Sequence, residues 1–71
     1  MNPAHPPPPT RDASIGVALE ALRSNRPLRA EEICRSYLET GPGCVEHLRM
    51  LGTALSKQGR YAESEQIVRL A

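Results

Sequence analysis

The sequence has no tryptophan and no phenylalanine, and Tyr37 and Tyr61 are its only tyrosines. A core built from it must be aliphatic, drawn from Ile15, Val17, Leu19, Leu22, Ile33, Leu38, Leu48, Leu51, Leu55, Ile67, Val68 and Leu70. An excess of one charge is also missing: nine basic and eight acidic residues leave a formal charge of +1. That balance gives no bulk attraction to nucleic acid or to anionic lipid. No apolar run approaches the roughly 18 residues of a membrane span. The N-terminus lacks the basic and then apolar regions of a secretion signal, so the expected location is cytoplasmic. The two cysteines, Cys34 and Cys44, are too few for a disulfide scaffold and would stay thiols in a reducing compartment. With 71 residues, one domain is the ceiling. A chain of about 60 residues buries only about 60% of its unfolded surface, so the core is small.

Proline is concentrated at one end, in "MNPAHPPPPT". Pro6 to Pro9 fix φ and remove four N–H donors, so residues 1–10 are expected to be a disordered tail of extended, solvated chain. It suits a passive leader or a ligand for a proline-binding domain. From Asp12 the pattern turns helical, with Ile15, Leu19 and Leu22 at spacings of four and three. Thr10 or Asp12 can cap the start. Asn25, which tolerates the left-handed conformation, is placed to end this helix. Pro27 suits the first turn of a second helix. Its inner face is Ala30, Ile33, Cys34, Tyr37 and Leu38, and Glu31 and Arg35 form an i,i+4 pair in the favourable order. Gly41, Pro42 and Gly43 stop it. A third helix begins near Cys44, turns Leu48, Leu51 and Leu55 inward and ends at Gly59. A fourth begins at Tyr61 and carries Ser64, Ile67, Val68 and Ala71. The expected fold is all-α, two antiparallel helical hairpins of four helices.

A single shift of register lays the second half of the chain over the first. Asn25 falls on Gly59, Arg26 on Arg60, Ala30 on Ser64, Glu31 on Glu65, Ile33 on Ile67, Cys34 on Val68 and Arg35 on Arg69. Identities are few, but small residues stay small and apolar ones stay apolar. In "LRMLGTALSKQGRYAESEQIV", Leu48, Leu51-Gly52, Leu55, Gly59-Arg60-Tyr61 and Ser64 stand in one spaced pattern. The pattern resembles the tetratricopeptide repeat family, whose two-helix units recur with the period of this shift. Ala71 and Pro42 match that family's small last-helix residue and its closing proline. The first unit departs more, with Ser14, Ala18, Ala21, Asn25 and Pro27 where the family prefers Trp, Gly, Tyr, Gly and Tyr. The resemblance implies a divergent first repeat over 11–44 and a second over 45–71, incomplete at its C-terminal end. Gly52 and Ala18 would let paired helices approach closely, and Tyr61 would pack under the preceding helix. Such units bury their faces on one another, so a continuation of the chain or another copy would cover the last helix. A narrower likeness, in "GPGCVEHLRMLGTALSKQGRYAE", is to the leading repeats of bacterial sulfotransferases. In that case the chemistry lies downstream, because these residues include no Gly-rich phosphate loop.

No catalytic, cofactor or metal site is expected. Cys34, Cys44 and His47 invite a metal reading, but the only apparent fourth ligand is His5 in the tail. Cys34 aligns with Val68 and reads as a small buried apolar residue. Cys44 at a helix start, with His47 three residues on, is the one candidate nucleophile and base. The basic residues interleave with acidic ones, which suits a solvated face and offers no recognition helix for DNA. The expected partner is a protein or peptide, whether separate, a downstream domain or another copy of the chain. By the family resemblance, the partner groove is lined by the first helix of each unit. It would hold Glu46, Arg49, Thr53, Ser56 and Lys57 from the second unit, and Asp12, Ile15, Leu19, Leu22 and Arg23 from the first. Ile15, Leu19, Arg49 and Thr53 stand where a carboxylate clamp would need Lys and Asn, so a clamp is not expected. The same residues would also suit an ordinary surface. Self-association, if it occurs, would use Ile67, Val68 and Leu70.

Overall fold

A computed structural model describes residues 10–40 and 43–71. The proline-rich segment 1–9, with His5, and the Gly41-Pro42 step lie outside the described residues. Four helices run in chain order: α1 Arg11–Arg23, α2 Pro27–Thr40, α3 Val45–Lys57 and α4 Tyr61–Leu70. The register that lays Asn25 on Gly59 also lays both ends of α1 on those of α3, and the start of α2 on that of α4. No strand occurs among the described residues.

Local chemistry sets these bounds. The Thr10 hydroxyl caps α1 by accepting from the Ala13 N–H at 3.1 Å. At the end of α1 the Asn25 N–H donates to the Leu22 carbonyl at 3.1 Å and the Arg26 N–H to Ala21 at 2.8 Å. At the end of α3 the Gly59 N–H donates to Ser56 at 2.9 Å and the Arg60 N–H to Leu55 at 2.9 Å. Each is the paired bond of a Schellman turn, and the two turns match in the same register. Such a turn needs positive φ after the cap, and Asn25 (59°) and Gly59 (79°) supply it. The cap of α3, Cys44, makes no side-chain capping bond.

Each helix packs on its neighbour in sequence, and α3 also touches α1. Ala18, Cys34, Leu51 and Leu55 are almost wholly buried together, with Ile33, Leu38, Met50 and Ile67 around them. Ala21, Ala30 and Ala54 form a second tight contact beside Leu22 and Ile33. Small side chains bring α1, α2 and α3 close, and two leucines from α3 fill the space that remains. Between α3 and α4 the close approach falls at Gly52, where the Ser64 hydroxyl donates to the Gly52 carbonyl at 2.7 Å. A Cβ at Gly52 would lie 2.6 Å from Val68 Cγ2.

Four residues of the expected aliphatic core lie outside it. Val17, Leu19, Val68 and Leu70 are exposed. On α1 the buried face is Ser14, Ala18 and Ala21, where small side chains let α2 and α3 approach, so the expected stripe is displaced, with Ile15 and Leu22 half-buried and Leu19 exposed. Only α3 packs against α4 among the described helices. Tyr61 does not pack under α3 either: it opens α4 with 68% of its surface exposed.

Candidate functional site

Three clusters of polar groups stand out. The first is buried between α1, α2 and α3. The His47 ring is fully buried and stacks on Tyr37, with centroids 3.9 Å apart and planes 4° from parallel. Its Nε2 lies 2.9 Å from the buried Ser14 hydroxyl, while Nδ1 has no partner among the described residues. Burial lowers the His47 pKa, the Arg11 charge lowers it further, and Glu46 partly opposes both. The ring is therefore held neutral. The serine and the histidine sit at hydrogen-bond distance, both enclosed by helices.

Cys44 and His47 bond different partners among the described residues. His47 is engaged with Ser14 and Tyr37, and the buried Cys44 thiol donates to Glu46 Oε1 at 3.3 Å. Cys34 is enclosed, and burial pushes its thiol up to about 11, aided by Cys44 nearby. Among the described residues, no three His, Cys, Asp or Glu side chains are grouped to hold a metal.

The second cluster joins α2 to the turn before α4. The nearly buried Glu31 carboxylate accepts from Arg35 Nε at 2.9 Å, Gln58 Nε2 at 2.9 Å and Arg60 at 2.8 Å. Arg60 also forks onto Glu63 through bonds of 2.9 and 2.8 Å. Burial pushes the Glu31 carboxyl up, but the donated bonds outweigh it and hold the group below its ordinary range. The Arg60 guanidinium is raised, first by its bonds to Glu63 and, against desolvation, by those to Glu31. The Glu31–Arg35 pair was legible from its spacing. Gln58 and Arg60 were not, because a turn between other helices brings them 27 and 29 residues back to Glu31.

The third feature is an open groove between α3 and α4 of about 580 Å³. Arg49, Thr53, Ser56 and Lys57 line one wall, and Ser64 and Val68 the other, with Gly52 at the close approach. Four of the ten residues expected in a groove lie on this wall, but the opposite wall is α4, and Asp12, Ile15, Leu19, Leu22 and Arg23 of α1 do not line it. Glu46 is not among the lining residues: at the start of α3 it accepts from Cys44 and from Arg11, at 3.3 and 3.4 Å. Arg49 and Lys57 form no ion pair among the described residues. Of the three residues expected to self-associate, Ile67 and Leu70 line one depression with Leu38, Leu48 and Leu51, and Val68 faces the groove instead. Ile67 also packs on the core, and Leu70 is exposed. No helix among the described residues is long and apolar enough to cross a membrane. No protein-family model matches the chain, and no curated protein or solved structure matches it.

Proposed function

We propose that the chain is a non-catalytic interaction module of the tetratricopeptide type, and that its partner, a polypeptide, seats in the groove between α3 and α4. The observation that carries this reading is the composition and openness of that groove. Two cations without ion-pair partners among the described residues, Arg49 and Lys57, flank the hydroxyls of Thr53 and Ser56 along one helix edge. The apolar Val68 faces them. Such an edge suits a polypeptide carrying carboxylates, held by charge at the rim and by packing at Val68. The helices and turns matched in one register support the repeat assignment.

The test is a photo-reactive amino acid placed at Thr53 in cells that naturally make the protein, with Gly16 as the control position. Gly16 is exposed on α1, with no neighbour near its Cβ direction. The expected result is a polypeptide adduct at 53 that is absent at 16 and weakened by Arg49→Glu with Lys57→Glu. Equal labelling at the two positions overturns the proposal.

A further inference from the structure

The second hairpin carries a leucine where the first carries a serine. In the register that lays Asn25 on Gly59, Leu70 falls on Ser36. Both positions are exposed, Leu70 by 69%. Ser36 stays exposed although α3 is seated on the first hairpin. A neighbour of that kind does not reach this position, so Leu70 lies outside the face on which successive hairpins meet.

Leu70 borders an apolar depression of about 350 Å³ between the end of α2, the start of α3 and the end of α4. The almost wholly buried Leu51 lies at its base, and Leu38, Leu48 and Ile67 are half-buried around it. Val45, 44% exposed and one turn before Leu48 on α3, extends the apolar surface. The depression shares no residue with the groove at Arg49 and Lys57. Two opposite charges line it, Arg35 and Glu39, exposed and one turn apart on α2. Arg35 uses Nε on Glu31 and Nη2 towards Glu63, which leaves Nη1 without a partner among the described residues. Glu39 forms no ion pair among the described residues.

We propose that this surface pairs two copies of the chain about a two-fold axis, with Leu70 of each packing into the depression of the other. The surface is self-complementary in shape, because it has both a hollow and, at its edge, a protruding side chain to fill one. It is self-complementary in charge as well. When two α2 helices meet antiparallel about position 37, position 35 of one lies opposite position 39 of the other. Arg35 then meets Glu39 twice, as a two-fold contact requires. A partner carrying charge of one sign would be repelled by one of the two. The net charge of +1 sets little repulsion between copies.

The test is sedimentation equilibrium of the intact chain with a thiol reductant present. A contact of this extent sits at the weak end of specific interfaces, so reversible dimers are expected below about 1 mM. Leu70→Lys should weaken dimerisation about tenfold or more, and so should Glu39→Lys, which sets like charges against Arg35. Val68→Lys, on the groove side, should leave it unchanged. Circular dichroism checks that these exposed substitutions keep the helices. Concentration-dependent amide NMR shifts in the unaltered chain are expected to centre on Leu38, Leu48 and Leu70. A chain that stays monomeric at about 1 mM overturns the proposal, as does a dimer that survives Leu70→Lys or Glu39→Lys. A dimer that Val68→Lys disperses as strongly, or shifts centred on Gly52, Ser64 and Val68, places the contact in the groove and overturns it too. The shifts need no substitution, so they decide even where a variant fails to fold.

Discussion

Glu31 and Glu65 occupy the same position in two successive helical hairpins, and they lead different lives. Glu31 is nearly buried and accepts bonds from three side chains. Glu65 is two-thirds exposed and has Arg69 alone among the described residues. The same contrast separates Cys34 from Val68 and Leu51 from Val17. Sequence periodicity treats each pair as equivalent. Whether a neighbouring helix lies against the position decides its energetics.

The largest break in that comparison should come from Leu51. Leu51→Ala leaves a cavity between α1, α2 and α3 and should cost about 3 kcal/mol, a large fraction of a small domain's stability. Val17→Ala, at the equivalent exposed position, should cost less than about 0.5 kcal/mol. Chemical denaturation of both variants checks this, and equal losses would deny that the two positions differ.

Next comes the carboxylate pair. Glu31→Ala removes one acceptor each from Gln58, Arg35 and Arg60 and should cost about 2 kcal/mol, moderated because Gln58 keeps the Ala54 carbonyl, Arg60 keeps Glu63, and Arg35 can rehydrate. Glu65→Ala should change stability by less than about 0.5 kcal/mol. Raised salt should narrow the gap only slightly, since Glu31 is shielded from solvent.

A smaller effect belongs to Gly52. Alanine there gains about 1 kcal/mol of helix propensity, but its Cβ meets the stiff, branched Val68 at 2.6 Å. We expect Gly52→Ala alone to be destabilising by about 1 kcal/mol. The first hairpin holds Ala18 against Cys34 at the equivalent place. Gly52→Ala with Val68→Cys should therefore recover at least wild-type stability. Non-additivity in a double-mutant cycle is the readout.

The smallest effect is the pH response of His47, whose counterpart in the first hairpin is the exposed Ala13. Its folded pKa is lowered, so the fold favours the neutral ring. The stabilisation is complete above the unfolded value of about 6.5 and is lost as pH falls below it. Glu31, Glu46 and Glu63 all have lowered pKa values, so their losses fall at more acid pH. Stability should decline between about pH 7 and 5.5 in the wild type and stay flat in His47→Gln over the same window. A slope that survives His47→Gln assigns the titration to another group.

Much of the fold was legible because its punctuation is local. Thr10, Asn25, Pro27 and Gly59 mark helix ends through their own φ preferences and donors, and the helices begin and end within a residue or two of where these place them. Only one wall of the groove was legible, since the expected opposite wall was α1 and the observed one is α4. Arg49, Thr53, Ser56 and Lys57 lie on one edge of a helix by spacing alone. Glu46 belongs to the same edge by spacing, but Arg11 from another helix and Cys44, two residues before it, engage it. The Ser14–His47–Tyr37 cluster had no local signal, since its members come from three helices.

The sequence by itself determined four helices, two left-handed turns and the register that relates the two hairpins, because each follows from bonds and steric limits within a few residues. Tertiary structure alone decided which half of each apolar stripe is covered and which acid is buried. It also decided where α3 and α4 leave a groove open. Those outcomes depend on which surfaces meet, and burial, desolvation and charge pairing act only where they do.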